Sequence, residues 1–514
     1  MSASSNKIAE NTLFLYFRMI FTMIVSLYTS RVILNVLGVD DFGLYQTVGG
    51  VVSLLAFVNG ALSVGTSRFL TFELGKNDNE KLKRTFSTVL LSHVFLSVIV
   101  VIVAETAGLW VVEHKLVIHP ERLNSAIWVY QLSILTSIIT ITQVPYNASI
   151  ISHEKMGVYA YASIIEVLLK LLAVYLIALS EWDKLVYYAV LICIIHMGIA
   201  LYYRFYCIRN FKETRFSYCF DKKIFRAITG YSGWNLLANT SLALTNQGAT
   251  ILINVFFNPS IVASRVIANQ VNMAANQFIN NFRTAANPQI VKRYAIQDYE
   301  GSKSLLLLST KFSYYLMLML ALPIFVVAEP LLKLWLGQVP TFSVLFLKYA
   351  VITSLFQVFD TSLYTALYAK GQIKENALLS PTIEIVAFLF TWLAYYLGYS
   401  PIAYSVLLLV AYAIQGIIIK PILLIKIVNY TYKDMMSIFL PCVKVTIAAV
   451  ILPLTCNAYF GDIINNSLLV ALFSVCTSVI LVVFSSWYLG MDKANKDQLI
   501  EIVRAKLQNK IGTI

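Results

Sequence analysis

The chain is cut into long apolar runs joined by short connections. About fourteen such runs, each roughly 20 to 28 residues, follow one another, and this is the length an α-helix needs to cross a bilayer. Inside hydrocarbon the backbone amides have no water to bond, so segments of this length must satisfy themselves as helices. Of 514 residues, 59% are hydrophobic and 13% charged, with a mean hydropathy of +0.73. Soluble domains carry about 25% charged residues, so this chain has too little polar surface to cover a soluble core. The expected fold is all-α and polytopic.

Charge sets the expected orientation. The formal net charge is +13, and the bases gather in alternate connections, at Lys76, Lys81, Lys83 and Arg84, between Arg209 and Arg226, and at Lys292, Arg293 and Lys303. The opposite connections hold acids such as Asp40, Asp41, Glu113, Glu181 and Asp183. This positive-inside pattern places both termini in the cytoplasm and argues against nucleic acid as the partner of the basic residues. Met1 to Asn11 is polar and lacks an apolar core with an A-x-A cleavage site, so the first run, which carries Arg18 and Arg31, is expected to be a retained helix. After Asp492 the pattern changes. Leu499, Val503, Leu507 and Ile511 recur at every fourth position among Lys496, Arg504, Lys506 and Lys510, which predicts an amphipathic cytoplasmic tail over 490–514.

The six cysteines are far apart with no CxxC, and the five histidines form no HExxH. Neither a disulfide frame nor a metal site is expected. No GxxxxGK[ST] loop and no catalytic motif occurs, so the expectation is a protein that is not an enzyme and has no resident cofactor.

A repeat is visible when the sequence is laid over itself with Ile33 on Leu252. Ile33-Leu34-Asn35-Val36 then falls on Leu252-Ile253-Asn254-Val255, Arg68 falls on Asn287, and the basic loop 76–84 falls near 292–303. Repeats of the same orientation imply two pseudo-symmetric six-helix lobes, expected at 1–208 and 209–428, with two further helices over 429–489.

Polar residues inside the runs are the candidates for function. Arg265, Asn269, Asn272, Asn276, Asn280, Arg283 and Asn287 are spaced by four, three, four, four, three and four positions, one helical face. A charge at mid-membrane costs roughly 3 kcal/mol, so this stripe should face water, a partner helix or an anionic passenger. The preceding run, 229–257, repeats the theme with Asn235, Asn239, Asn246, Thr250 and Asn254. Amides suit sugar hydroxyls and arginine forks suit phosphate, although amides also bind helices to each other. Arg18, Arg31 and Arg68 are further candidates, with snorkelling to the interface as the alternative. Glu166 and Lys170 stand four apart and are expected to pair. Asp360 and Glu384 have no local partner. Each is expected either to meet a base on a neighbouring helix or to hold a coupling Na+ or H+, with Ser380 on the face of Glu384 around Pro381.

Several segments carry a family likeness. Leu37-Gly38 followed by Asp41-Phe42-Gly43-Leu44-Tyr45, NPQIVKRYA at 287–295, EPLLKLWLG at 329–337 and YAKGQ at 368–372 resemble polysaccharide-transport flippases. These are the Wzx-like O-antigen branch of the multidrug/oligosaccharidyl-lipid/polysaccharide superfamily. The resemblance implies about 14 transmembrane helices around a central cationic cavity, working by alternating access. It implies transport of an undecaprenyl-diphosphate-linked oligosaccharide, an O-antigen, capsule or exopolysaccharide unit, across the bacterial inner membrane. Membrane lipids, a glycan polymerase and glycosyltransferases are the implied partners. Family members place cavity arginines on helices one, two and eight, where this chain has Arg18, Arg31, Arg68, Arg265 and Arg283. Two alternatives stay open. A cation-coupled multidrug exporter of the same fold would want acids and aromatics in its cavity. A membrane glycan polymerase or ligase usually carries a large outer loop.

Overall fold

The computed structural model describes residues 3–492 and Lys496, apart from Asn77, Phe216 and 464–466. Most of the expected amphipathic tail, residues 493–495 and 497–514, lies outside the described residues, as does the side chain of Asn235.

All the regular elements formed by the described residues are helices, joined by short irregular connections. The first elements are α1 (Ala3–Leu55), α2 (Phe57–Gly75), α3 (Asn79–Val103), α4 (Leu109–His114), α5 (Leu123–Ser152), α6 (Met156–Ala178) and α7 (Lys184–Asn210). They are followed by α8 (Lys222–Ala243), α9 (Ala249–Phe256), α10 (Pro259–Ala295), α11 (Tyr299–Val326) and α12 (Ala328–Leu336). The last are α13 (Ser343–Lys370), α14 (Lys374–Tyr396), α15 (Ala403–Ala413), α16 (Lys420–Val428), α17 (Tyr432–Ile463) and α18 (Ser467–Ser485). Aspartates start several of them. Asp78, Asp183, Asp221 and Asp298 accept backbone N–H bonds at the first turns of α3, α7, α8 and α11.

Eleven helices among the described residues are long and apolar enough to cross a membrane. The 37-residue α10 is long enough but too polar to count among them, because it carries the arginine and asparagine stripe. The short α12 was not expected as a separate helix. It buries Leu332 and Leu336 and stops at Gly337, whose φ is 80°.

The glycines of the first motif have structural reasons. Gly38 has φ 80° and ψ 172°, a conformation open essentially to glycine alone, and there the chain turns from the first expected run into the second within α1. The second repeat breaks at the matching position, Phe257, with φ −130° and ψ −105°. Gly43 lets α1 touch the start of α10. A Cβ there would overlap the Pro259 carbonyl oxygen. Phe42, 2% exposed, fills the core beside it.

The chain divides into two compact units. The first holds Met1–Gln270, Pro340–Ser343 and Ser380–Tyr404; the second holds Val271–Val339, Val344–Leu379 and Ser405–Ile514. In the first unit Leu44, Val48 and Val52 of α1 pack with Val129 and Tyr130 of α5 and Leu185 of α7. Its connections are tied by Arg122, which meets Asp41 through Nε at 3.0 Å and Asp183 through Nη1 at 2.9 Å. Partial burial pushes the Asp183 carboxyl up, but the Ser125 hydroxyl, Arg122 and the N–H groups of Val186 and Leu185 outweigh it and hold the group below the usual range. In the second unit Tyr314 of α11 meets Thr446 of α17 at 2.8 Å, and Tyr315 donates to the Gly490 carbonyl at 3.0 Å.

Two outcomes follow. Gly43→Ala should lower the melting temperature of the detergent-solubilised protein more than Gly38→Ala. The latter introduces backbone strain of about 1–3 kcal/mol, whereas the former must move a backbone. A carboxylate with a depressed native pKa stabilises the fold above its unfolded pKa and loses that effect as pH falls through the native value. Melting curves should therefore show a smaller loss of stability between about pH 4 and pH 2 in Asp183→Asn than in the parent protein.

Candidate functional site

The stripe on α10 is distributed over both units, with Arg265 and Asn269 in the first and Asn272 to Asn287 in the second. Arg265 is only 8% exposed. Its neighbour is the π turn Leu244–Gly248 between α8 and α9. A π turn shifts the N–H partners by one position and so leaves carbonyls in need of donors. Arg265 supplies them. Nη2 donates to Thr245 O at 3.0 Å and to the Tyr404 hydroxyl at 3.2 Å, and Nη1 donates to Asn246 O at 3.2 Å and to Thr250 Oγ1 at 2.8 Å. The guanidinium also lies 4.8 Å from the Tyr404 ring, and Tyr404 itself donates to Thr245 O. Three bonds from this arginine thus hold α10 against a helix break, and the fourth joins it to Tyr404 of α15.

The amides of α8 and α9 also have neighbours in the first unit. Asn246 donates to Leu242 O at 2.9 Å. Asn254 is fully buried, accepting from Val117 N at 2.8 Å and donating to Val117 O at 3.4 Å, which fastens the connection after α4. Asn239 lies against Gly60, where a Cβ would overlap Asn239 Oδ1. Glu384 of α14 is buried and accepts from Ser241 of α8. Gly248 makes room for Phe388, since a Cβ there would be 2.9 Å from the ring. Arg18 lies 4.8 Å over the Tyr159 ring, with its Nε buried and without a hydrogen-bond partner. Arg31 is exposed on α1, and Arg68 is exposed with its guanidinium 5.8 Å from the Phe69 ring. Glu166 and Lys170 pair at 2.7 Å, as their spacing predicts.

In the second unit the stripe meets α13. Ser354 donates to Asn272 Oδ1 and accepts from Asn276, both at 2.8 Å. Thr365 donates to Asn287 at 3.2 Å. Between them Arg283 donates to Thr361 O and, at 3.4 Å, to Asn280 Oδ1. Its Nε is buried with no acceptor. Next along α13 is Asp360, which forms an ion pair at 2.9 Å with Lys420 of α16. Lys420 is 1% exposed, also donates to Asn376 and lies 5.7 Å from the Tyr364 ring. Of the two outcomes expected for Asp360, the structure therefore realises pairing with a base on a neighbouring helix. That base was missed in the sequence. Lone bases within apolar runs were its signal, and Arg204 and Lys311 share it. Arg204 donates to Thr142 at 2.6 Å, and Lys311 lies 3.6 Å from Asp492. An apolar cavity of about 330 Å³ opens between α11, α13 and α17, lined by residues such as Leu318, Leu322, Phe325, Ile352 and Val450.

Residues 8–294 match the sequence model of the family described as polysaccharide biosynthesis protein. No curated protein matches the chain in sequence. Among solved structures, the lipid II flippase MurJ in an inward closed conformation is similar at TM-score 0.72 and 12% identity, covering 92% of this chain and 98% of that one. An inward-facing multidrug resistance MATE family transporter of the MOP superfamily is similar at TM-score 0.65 and 15% identity, covering 80% of this chain and 98% of that one. A MOP superfamily transporter from Pyrococcus furiosus, whose binding pocket is described as having reverse polarity, is similar at TM-score 0.58 and 15% identity, with coverage of 82% and 96%. At these identities the likeness is one of fold.

Arg265→Ala should remove four hydrogen bonds from a charged donor at the α8–α9 turn, leaving Thr245 O to Tyr404 and Asn246 O to Thr250, at roughly 1.5–3 kcal/mol for each bond lost. The expected result is a lower melting temperature and less protein in the membrane, with Arg265→Lys intermediate because one ammonium cannot replace a planar fork.

Proposed function

Because the chain belongs to the polysaccharide biosynthesis protein family, we propose that it is a multi-pass flippase for an undecaprenyl-diphosphate-linked oligosaccharide, moving its substrate across the bacterial inner membrane by alternating access with both termini in the cytoplasm. The observation that carries this reading is Arg283. It stands inside a polar face of α10 with a buried Nε–H that has no acceptor, and a guanidinium so placed is a donor for an anionic oxygen. Arg18, with its own unpartnered Nε, is the second phosphate donor, and the exposed Arg31 and Arg68 are the next in line. Arg265 acts differently. It holds the helix break, while Asn269, Asn272, Asn276, Asn280, Asn239 and Asn246 supply amides for sugar hydroxyls. The apolar cavity beside α17 suits the polyprenyl tail. A coupling Na+ or H+ is assigned to Glu384 with Ser380, since Lys420 already neutralises Asp360. The glycan polymerase and glycosyltransferases of the same export route are the proposed partners.

The test is surface glycan display in cells where the resident gene is replaced by variants. Arg283→Ala should abolish export while its amount in the membrane stays normal, and Arg283→Lys should restore part of it. Wild-type display in Arg283→Ala sinks the assignment. Glu384→Gln should remove the ion dependence of transport; an unchanged dependence on Na+ and on pH removes that residue from the coupling site.

A further inference from the structure

The first unit contains a second cavity that none of the roles above uses. It measures about 350 Å³ and lies between α1, α5, α7 and the π turn after α8. Its polar lining includes Gln46 and Ser53 of α1, Ser133, Thr136 and Ser137 of α5, and Gln247 of the π turn. Among the described residues no lysine, arginine, aspartate or glutamate lines it. The space exists because Gly49 and Gly50 carry no side chain. A Cβ on Gly50 would come within 3.2 Å of Gln247 Oε1.

The hydrogen-bond state of these groups defines what they can take. Ser133 donates its proton to Val129 O at 2.7 Å, Thr136 to Leu132 O at 2.8 Å and Thr140 to Ser137 O at 3.0 Å. Each hydroxyl therefore keeps only lone pairs for a ligand. Ser137 is 8% exposed and its Oγ has no partner at all, an unmet buried polar group at the cavity wall. Together with the Gln46 and Gln247 amides, the Ser137 hydroxyl and the His196 ring, which can also donate, these acceptors suit a ligand that carries both hydroxyl donors and acceptors and needs no carboxylate or ammonium as counter-charge. Apolar atoms of Val52, Leu132 and Ile192 and the Tyr45 ring complete the wall, as the C–H face of a sugar ring requires. The size is at the small end of ligand pockets, which run from about 300 Å³ upward.

The repeat sharpens the contrast. Gln46 falls on Arg265, so the same register position is neutral in one repeat and cationic in the other. Arg265 in turn braces the π turn that carries Gln247 to the cavity.

We propose that this cavity is a subsite for one neutral sugar residue of the transported glycan, pairing with its hydroxyl and amide groups and separate from the groups that bind the diphosphate. The proposal rests on the flippase reading above. Its test uses the full-length protein purified into lipid nanodiscs, with glucose, galactose and N-acetylglucosamine as probes in saturation-transfer NMR titrations. At least one should bind saturably. Gln247→Leu and Ser137→Ala should each weaken that binding about tenfold, the scale of one lost hydrogen-bonding group. Gly49→Leu should abolish it by filling the space. Folding is controlled by the membrane amount and helical circular dichroism of Gly49→Leu, which should match the parent, and Gln247→Leu and Ser137→Ala carry the test where they do not. Absence of saturable binding of all three sugars to a parent protein that supports glycan display overturns the subsite and leaves the flippase reading standing, as does unchanged binding in Gly49→Leu. Loss of the flippase reading itself would show separately, as normal glycan display in Arg283→Ala.

Discussion

Inside a bilayer, a backbone carbonyl that loses its helical partner has no water to turn to. This chain creates such carbonyls at the π turns Ala104–Gly108, Leu244–Gly248, Ile414–Ile419 and Ser486–Gly490. Several long-range hydrogen bonds reach these turns. Tyr130 of α5 donates to Ala104 O at 2.8 Å beside the Leu109 N–H that the same carbonyl accepts, and the absence of a side chain on Gly108 lets the ring in. Tyr315 of α11 reaches Gly490 O. Arg265 and Tyr404 converge on Thr245 O. At the remaining turn Gly416 allows the backbone of Phe356 to approach, where a Cβ would be 2.7 Å from its carbonyl oxygen. Helix breaks and the side chains that complete them thus fix which helices lie together within each unit.

The same constraint explains what could be seen in the sequence. Apolar runs announce helices because length and composition alone decide them, and the repeat announces a shared break near residues 38 and 257. The glycines of the Leu37–Tyr45 motif were visible as a motif, but their causes were not. One is a positive φ at Gly38, and the other is a contact between Gly43 and Pro259, which opens a helix in the second repeat. A π turn has no composition of its own. Leu244–Gly248 reads as more helix, so nothing in the sequence says that Arg265 has carbonyls to satisfy. The helical stripe was therefore legible as a face, and the division of labour along it was not. Arg265 is taken up by backbone, and Arg283 keeps a donor in reserve.

Charges inside the second unit follow a related rule. Lys420 is enclosed by Asp360, Asn376 and Tyr364, so a base that would be costly alone is matched by an acid, an amide and an aromatic face. Breaking one member strands another. Asp360 looked in the sequence like an acid without a partner because Lys420 stands in a different apolar run, with another whole run between them. Helices record such pairings only in three dimensions.

The two repeats started from the same pattern and differ where a ligand would feel it. One repeat places Gln46 and a pair of glycines beside hydroxyls that have already donated their protons, in a cavity lined by no lysine, arginine, aspartate or glutamate among the described residues. The other places Arg265 at the equivalent position, with Asn269 and Asn272 further along where the first has Gly50 and Ser53. Small residues make space and amides and guanidinium fill it, so the duplicated helix yields a pocket once and a braced polar face once. A pocket without fixed charge suits uncharged hydroxyl groups and a face with arginine suits an anion, so the chain holds both kinds of surface. Divergence at a few register positions of one helix is sufficient to supply them without altering the helices that carry them.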